Sequence, residues 1–414
     1  MISYAEALAI LQRHAGPARA ESVPLSQALG GVAAEDISSP MNVPSFRNSA
    51  MDGYAVRASA LATASAAIPV TLSVSGTVAA GDALSLSGEA VQIMTGAPVP
   101  GAFDAVVPVE MVCVEGERVT FTRPASPKDH IRFPGEDVCA GETVLRRGDK
   151  VTPEAVMLLS ALGIAKASVR RVPRIHFIST GNEITDNPVA PLPEGMIYNS
   201  NAPYLLASAR ALGLEAVYEG IVRDDPAAYE AMLGAIKEAA VIVSTGAVSK
   251  GSRDFIPDSL KKLGGAIHFH RVNIRPGKPV LFATLPNGSF YFGLPGNPIS
   301  TAIGFTFFVM PLVRMLQGAG MAAPLMAQLA NDFTKKGDFR QFLKANLAVD
   351  GEGRLRVSVA TGQESFKIKS MTENNAWVVL EEGKTLWRAG ECVPVYPYGA
   401  METEKGENSL CQAA

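Results

Sequence analysis

VIVSTGAVSKGSRD, residues 241–254, opens on three β-branched residues in a row, Val241, Ile242 and Val243. Such a run reads as a buried strand. It passes into Ser244, Thr245 and Gly246, and a second glycine follows at 251. Small and hydroxylated residues at the carboxyl end of a parallel strand leave backbone N–H groups facing outward. An open α/β sheet binds its ligand at that end, where an anion is welcome. Taken alone, the stretch is more simply a glycine turn between strand and helix, and its neighbours change the balance.

Strands and helices alternate on both sides of it. Arg174–Ser179 reads as a strand, Ala202–Leu212 as a helix, and Ala216–Val222 as a strand. Asp225 followed by Pro226 is a helix start, the acid as cap and the proline at the first helical position. Ile256–Leu263 reads as a helix, and Val280–Thr284 and Phe290–Leu294 flank the turn Pro286-Asn-Gly288. Asn297 then caps, and Pro298 starts, a long apolar helix. The alternation predicts a three-layer, mostly parallel α/β domain over residues 173–320. Ser179-Thr-Gly181, Ser244-Thr-Gly246 and Leu294-Pro-Gly-Asn297 each follow an apolar strand. Parallel strands would carry all three corners to one edge, as a floor of hydroxyls and N–H groups suited to phosphate.

The flanks differ in character. A capping box, Ser3 with Glu6, opens a helix over 3–14. Short strands broken by Gly and Pro, among them Val70–Val74, Ala90–Met94, Ala105–Val109 and Val119–Thr122, predict a β insertion domain over 45–135. Residues 1–44 with 136–172 form an elongated linker domain around it, with the N-terminal helix free to pack on the α/β domain; Thr152-Pro153-Glu154 starts a helix there. Residues 325–410 return to β character, with a hairpin around Asp350-Gly-Glu-Gly353, and predict a small barrel or sandwich. The fold class is therefore multidomain α/β plus β.

Composition narrows the function. A hydrophobic content of 47% in 414 residues is ample for several cores. A net charge of −3 with only short basic clusters argues against nucleic acid. The four cysteines are scattered, which argues against a disulfide framework and for a reducing, cytoplasmic setting. No signal peptide is recognisable, and the apolar run over 299–313, interrupted by Pro311, is too short to span a bilayer. The glycine pattern matches neither the P-loop nor the dinucleotide fingerprint. His176 lies mid-strand and reads as a packed core residue, and His268 with His270 is too few for a metal site. Arg271, Arg275 and Lys278 could add positive charge beside the three corners. Glu183, Asp224, Asp225 and Asp254 could hold a divalent cation by oxygen alone, which favours Mg²⁺; Asp225 is already engaged as a cap.

NSAMDGYAV (48–56), IMTGAPVPGAFDAVVPVE (93–110), STGNEI (179–184), RDDP (223–226), STGAVSKGSRDF (244–255), IRPGKPVLF (274–282) and GLPGNPIS (293–300) follow one another in order. Together they resemble the molybdopterin molybdenumtransferases, the gephyrin E-domain family, over nearly the whole chain. The resemblance implies insertion of molybdate into adenylylated molybdopterin with release of AMP and help from Mg²⁺. It implies a homodimer in which the partner's β domain closes the cleft of the α/β domain, with the molybdopterin adenylyltransferase as a candidate partner. Carried over, Asp52, Thr95, Glu183 and Asp254 are the catalytic candidates, and Glu183, Asp224 and Asp254 the metal candidates. The substrate-binding candidates are Gly96, Ser179, Thr180, Gly181, Asn199, Ser244, Thr245, Gly246, Ser249, Arg271, Arg275, Lys278, Pro295, Gly296, Asn297 and Pro298. Asp137 matches an acid before the linker helix. Two positions depart from the family pattern: Ala247 replaces a glycine, and Gly362-Gln-Glu-Ser-Phe366 stands where a Ser-His pair is more usual.

Two other functions share these motifs. The related adenylyltransferase has the α/β domain but normally lacks both β domains, so the length of this chain speaks against it, and ATP consumption would reveal it. A non-catalytic scaffold would bind a partner peptide through the same fold. The intact acidic and Thr-Gly positions argue for activity, and Asp52→Ala separates the two.

Overall fold

The structure is a computed structural model and describes residues 1–82, 86–188, 191–246 and 255–399. The chain forms two compact units, one of residues 1–21, 30–32 and 170 onward, the other of 22–29 and 33–169.

The first unit is built on a six-stranded sheet in the order Ala216–Val222, Ile175–Thr180, Val241–Thr245, Phe290–Leu294, Leu281–Thr284, Ala266–His270. The first four strands run parallel. The tight turn at Pro286–Gly288, with Gly288 at φ +83°, folds the fifth strand back antiparallel. Val241, Ile242 and Val243 are fully buried, as the β-branched run predicts. Val241 and Val243 enter a core with Leu205, Phe292 and Phe308, while Ile242 enters a second core with Tyr229, Leu260 and Tyr291. Helices therefore cover both faces, giving the three layers.

His176 departs from its expected place in the core. It is half-buried, and its Nδ1 lies 2.7 Å from Glu219 Oε1 on the neighbouring strand. Burial without a polar partner would have been costly for the ring.

Ser3 and Glu6 form the reciprocal capping box, at 3.1 and 2.7 Å, and the helix Tyr4–His14 buries Tyr4, Ala7 and Leu11 in the first core. Pro311 does not interrupt the apolar helix. Helix Pro298–Gly304 runs through a π-helical turn, Phe305–Val309, into helix Met310–Gln317. A proline cannot donate to the carbonyl four residues back; here the Tyr4 hydroxyl donates to that carbonyl, Phe307 O, at 3.2 Å. The resulting stretch, Pro298–Gln317, has the length and hydropathy of a membrane span, yet 78% of its window is buried inside the protein. Asn297 precedes it without a side-chain cap, contrary to expectation.

Within the same unit, Arg340–Val349, Leu355–Val359, Leu325–Leu329, Cys392–Pro397 and Ala376–Leu380 close into a five-stranded barrel. The hairpin turns at Asp350, whose carboxylate accepts from the backbone of Glu352 and Arg354. The short strand Ile274–Arg275 adds to the barrel beside Arg340–Gln341.

The second unit holds a sheet in the order Ala105–Pro108, Gly53–Val56, Ala90–Ile93, Val70–Val78, Arg118–Phe121, Val112–Glu115. Its core includes Tyr54, Val56, Leu61 and Phe121. The segments flanking this sheet pair through Ile37–Ser38 with Thr143–Leu145. Helix Pro153–Ala161, capped by the Thr152 hydroxyl, packs Leu159 against Val23, Leu25 and Val169.

Candidate functional site

The three corners of the α/β sheet meet. Ser179 pairs in register with Thr245, and Thr245 with Leu294. Thr180 Oγ1 donates to Thr245 O at 3.0 Å, and Gly246 N–H to Leu294 O at 3.1 Å. Gly246 sits at φ +92°, and a Cβ there would lie 2.3 Å from Thr180 O. Asn201 Nδ2 donates to Gly296 O, and Thr301 Oγ1 to Pro295 O, fixing the third corner to two helices. The chain leaves the Ile175–Thr180 strand for the strand on one side and later returns to the strand on the other. That reversal opens the crevice in which such sheets bind ligands.

A cavity of about 1100 Å³ opens there. Thr180, Gly181, Gly246, Pro295 and Gly296 line its floor. Glu183 and Asp224 bring carboxylates, and Arg275 and Lys278 bring positive charge. Asn199, Asn297 and Pro298 are in the same wall. Ser365, Phe366 and Ile368, on the loop after the Leu355–Val359 strand, also line it, as do Ile197 and Tyr198.

The hydroxyl floor expected from the sequence is replaced largely by backbone. Ser179, Ser244 and Thr245 are buried beneath the cavity and do not line it. A side chain directed into the layer between sheet and helix cannot also face the strand end, so the glycines take that place. Ser179 Oγ accepts from Asn199 Nδ2 at 3.0 Å. Arg271 is likewise absent from the lining; at φ +106° it turns the chain, its N–H bonded to Val280 O. Arg275 lies over the Phe339 ring at 5.6 Å. Asp225 caps its helix by accepting from Ala227 and Ala228 N–H. Ser249, Asp254 and Ala247 lie outside the described residues.

Three residues escaped the sequence. Asn182 Nδ2 donates to Asp224 Oδ2 at 3.2 Å. Tyr218 donates to Asp186 Oδ2 at 2.8 Å, and Asn199 Nδ2 lies 2.9 Å from both Asp186 Oδ1 and Tyr218 Oη. Burial, with Asp186 adding to it, pushes the Tyr218 phenol well above its ordinary range. No motif marks Asp186 or Tyr218; only the fold brings them to Asn199.

In the second unit, Asp52 and Thr95 are joined where three strands end, with Gly53 opposite both Ile93 and Pro108. Thr95 N–H donates to Asp52 Oδ1 at 2.6 Å and its hydroxyl to the same oxygen at 2.8 Å. These bonds, the backbone one foremost, hold the exposed Asp52 carboxyl below the usual carboxylate range. Gly96 follows at φ +79°. Asp137 is exposed, with its N–H bonded to Val43 O.

Among the described residues no cluster of three or more His, Cys, Asp and Glu side chains forms a ready-made metal cage. Glu183 and Asp224 nevertheless share one cavity, and two carboxylates completed by phosphate oxygens and water are the usual protein share of a Mg²⁺ site.

Comparison with known proteins matches three family models in sequence order: MoeA N-terminal region (domain I and II) over residues 2–163, a probable molybdopterin binding domain over 176–315, and MoeA C-terminal region (domain IV) over 326–398. A molybdopterin molybdenumtransferase of Synechococcus elongatus is 35% identical over 404 residues, covering 95% of this chain and 99% of the relative. One of Haemophilus influenzae is 36% identical, covering 93% and 95%. A crystal structure of a molybdopterin biosynthesis MoeA protein from Pyrococcus horikoshii superposes with a TM-score of 0.79 at 33% identity, covering 97% of this chain and all of the other.

Proposed function

The chain belongs to the molybdopterin molybdenumtransferase family and is an enzyme of molybdenum cofactor biosynthesis, and we propose that its α/β cavity holds adenylylated molybdopterin while molybdate is inserted. The observation that carries this assignment is the convergence of Gly181, Gly246 and Gly296 on one floor, with two cations and two carboxylates in the same cavity. The side-chain-free floor lets phosphate approach the backbone, and the Arg275 and Lys278 charges suit the substrate's phosphates and the molybdate oxyanion. Water or a molybdate oxygen attacks the anhydride phosphorus and AMP leaves, while the dithiolene thiols displace oxo ligands from molybdenum, their protons carrying that oxygen away as water.

Glu183 and Asp224 are the described residues that would hold Mg²⁺, with Asp254 as the third candidate from the sequence. Bound there, the cation would neutralise phosphate charge. Asp52, kept ionised by Thr95, is the proposed catalytic carboxylate of the second unit. As a homodimer, one copy would present Asp52 and Thr95 to substrate held by the other, and the adenylyltransferase would supply that substrate. A reducing, cytoplasmic setting is supported by Cys113, Cys139 and Cys392, all free and exposed.

Purified protein given adenylylated molybdopterin, Mg²⁺ and molybdate should release AMP in proportion to enzyme. Release no greater than in a protein-free control refutes the proposal.

A further inference from the structure

We infer that Phe366 is a stacking platform for the adenine of the adenylylated substrate, an inference that rests on the cavity assignment above. Phe366 lines the 1100 Å³ cavity and is 66% exposed, the most exposed phenylalanine described. Two other residues of the lining, Ile368 at 46% and Tyr198 at 43%, are also open to solvent. Large apolar groups gathered around a pocket gain by being covered.

The loop bearing Phe366 is held unusually firmly for one that leaves a phenyl ring in water. Lys344 is fully buried within the barrel, and its ammonium donates to Gly362 O, Lys367 O and Ser370 Oγ at 2.8, 3.2 and 2.5 Å. Gln363 returns its amide to Lys344 O and Ala360 O, and accepts from Lys344 N–H. Ile299 N–H, one residue beyond the Pro295–Pro298 turn, donates to Ser365 O at 3.2 Å. Burying an ammonium is costly, and here its three donors are spent on pinning one loop. A fixed backbone that presents an uncovered ring is the arrangement of a preorganised contact.

The chemistry of the ring selects the occupant. A phenyl group has no hydrogen-bonding atom, so it offers only area and a π face. Of the substrate's two heterocycles, adenine is flat and aromatic throughout, whereas the reduced pterin puckers at its saturated carbons. Adenine therefore makes the better stacking partner.

The test is binding of AMP and of ribose 5-phosphate to the full chain with Mg²⁺, by titration calorimetry, for wild type, Phe366→Ala, Phe366→Leu and Phe366→Trp. Stacking predicts that Phe366→Ala and Phe366→Leu weaken AMP on the order of tenfold, that Phe366→Trp restores it, and that ribose 5-phosphate is indifferent to all three. The adenine H2 and H8 resonances should move upfield on wild type and Phe366→Trp alone. Wild-type affinity for AMP in Phe366→Ala overturns the inference and leaves the cavity assignment standing. So does wild-type affinity in Phe366→Leu, which would make the ring mere apolar cover. If wild type itself fails to bind AMP, the cavity assignment falls and the inference with it.

Discussion

Thr180 and Gly246 stand so close that no side chain fits between them: a Cβ on Gly246 would lie 2.3 Å from the Thr180 carbonyl oxygen and 2.7 Å from its hydroxyl. Thr180 ends one strand and Gly246 follows the last residue of its parallel neighbour, and the Thr180 hydroxyl is already committed to the Thr245 carbonyl. This contact lets the first and second corners share one floor.

Gly246→Ala would combine the strain of a positive φ with a backbone clash. Together these should destabilise the first unit by about 2–4 kcal/mol and abolish AMP release. Urea unfolding measures the first, and an unchanged midpoint would mean the corner can open.

Thr95→Val removes one of two donors to Asp52 Oδ1. A carboxyl depressed in the folded state stays ionised at neutral pH, and that ionisation is lost as pH falls through its lowered pKa. With only the backbone donor left, the pKa rises toward the ordinary range. The acid limb of kcat/KM should therefore move to higher pH, while the melting temperature at neutral pH falls only slightly because the lost bond is exposed to solvent. An acid limb that does not move would separate Asp52 from the reaction.

Glu183→Gln and Asp224→Asn keep size and shape and remove one charge each. Both residues lie in the cavity wall, so each should raise the Mg²⁺ concentration needed for half-maximal AMP release several-fold. Stability should change by less than about 0.5 kcal/mol for the exposed Glu183. Chelation of divalent cations should stop the wild-type reaction, and full activity in chelator would remove these residues from any metal role.

Tyr4→Phe leaves the Phe307 carbonyl without its donor inside the core, because Pro311 cannot replace it. The expected cost is about 1–3 kcal/mol, read as a lower urea midpoint. An unaltered midpoint would show that the π-helical turn satisfies that carbonyl unaided.

Local chemistry was legible directly. Ser3 and Glu6 make the capping box, Asp225 and Pro226 start a helix, and Val241–Val243 form the strand at the centre of the sheet. Each depends on residues a few positions apart, whose preferences hold wherever the segment is placed. The order of the motifs likewise points to the family from sequence alone.

What sequence by itself determined, then, is the succession of elements, the glycine-bearing corners and the residues able to carry charge. Tertiary structure alone decided which of them face the cavity. Ser179, Ser244 and Thr245 turn into the interior, Arg271 turns the chain, and Phe366 lines the cavity on a loop pinned by Lys344. The reason is geometric: a strand sends alternate side chains to opposite faces, and which face meets ligand depends on packing from residues far along the chain. Tyr4 and Phe307 are 303 positions apart, and no local preference could have joined them.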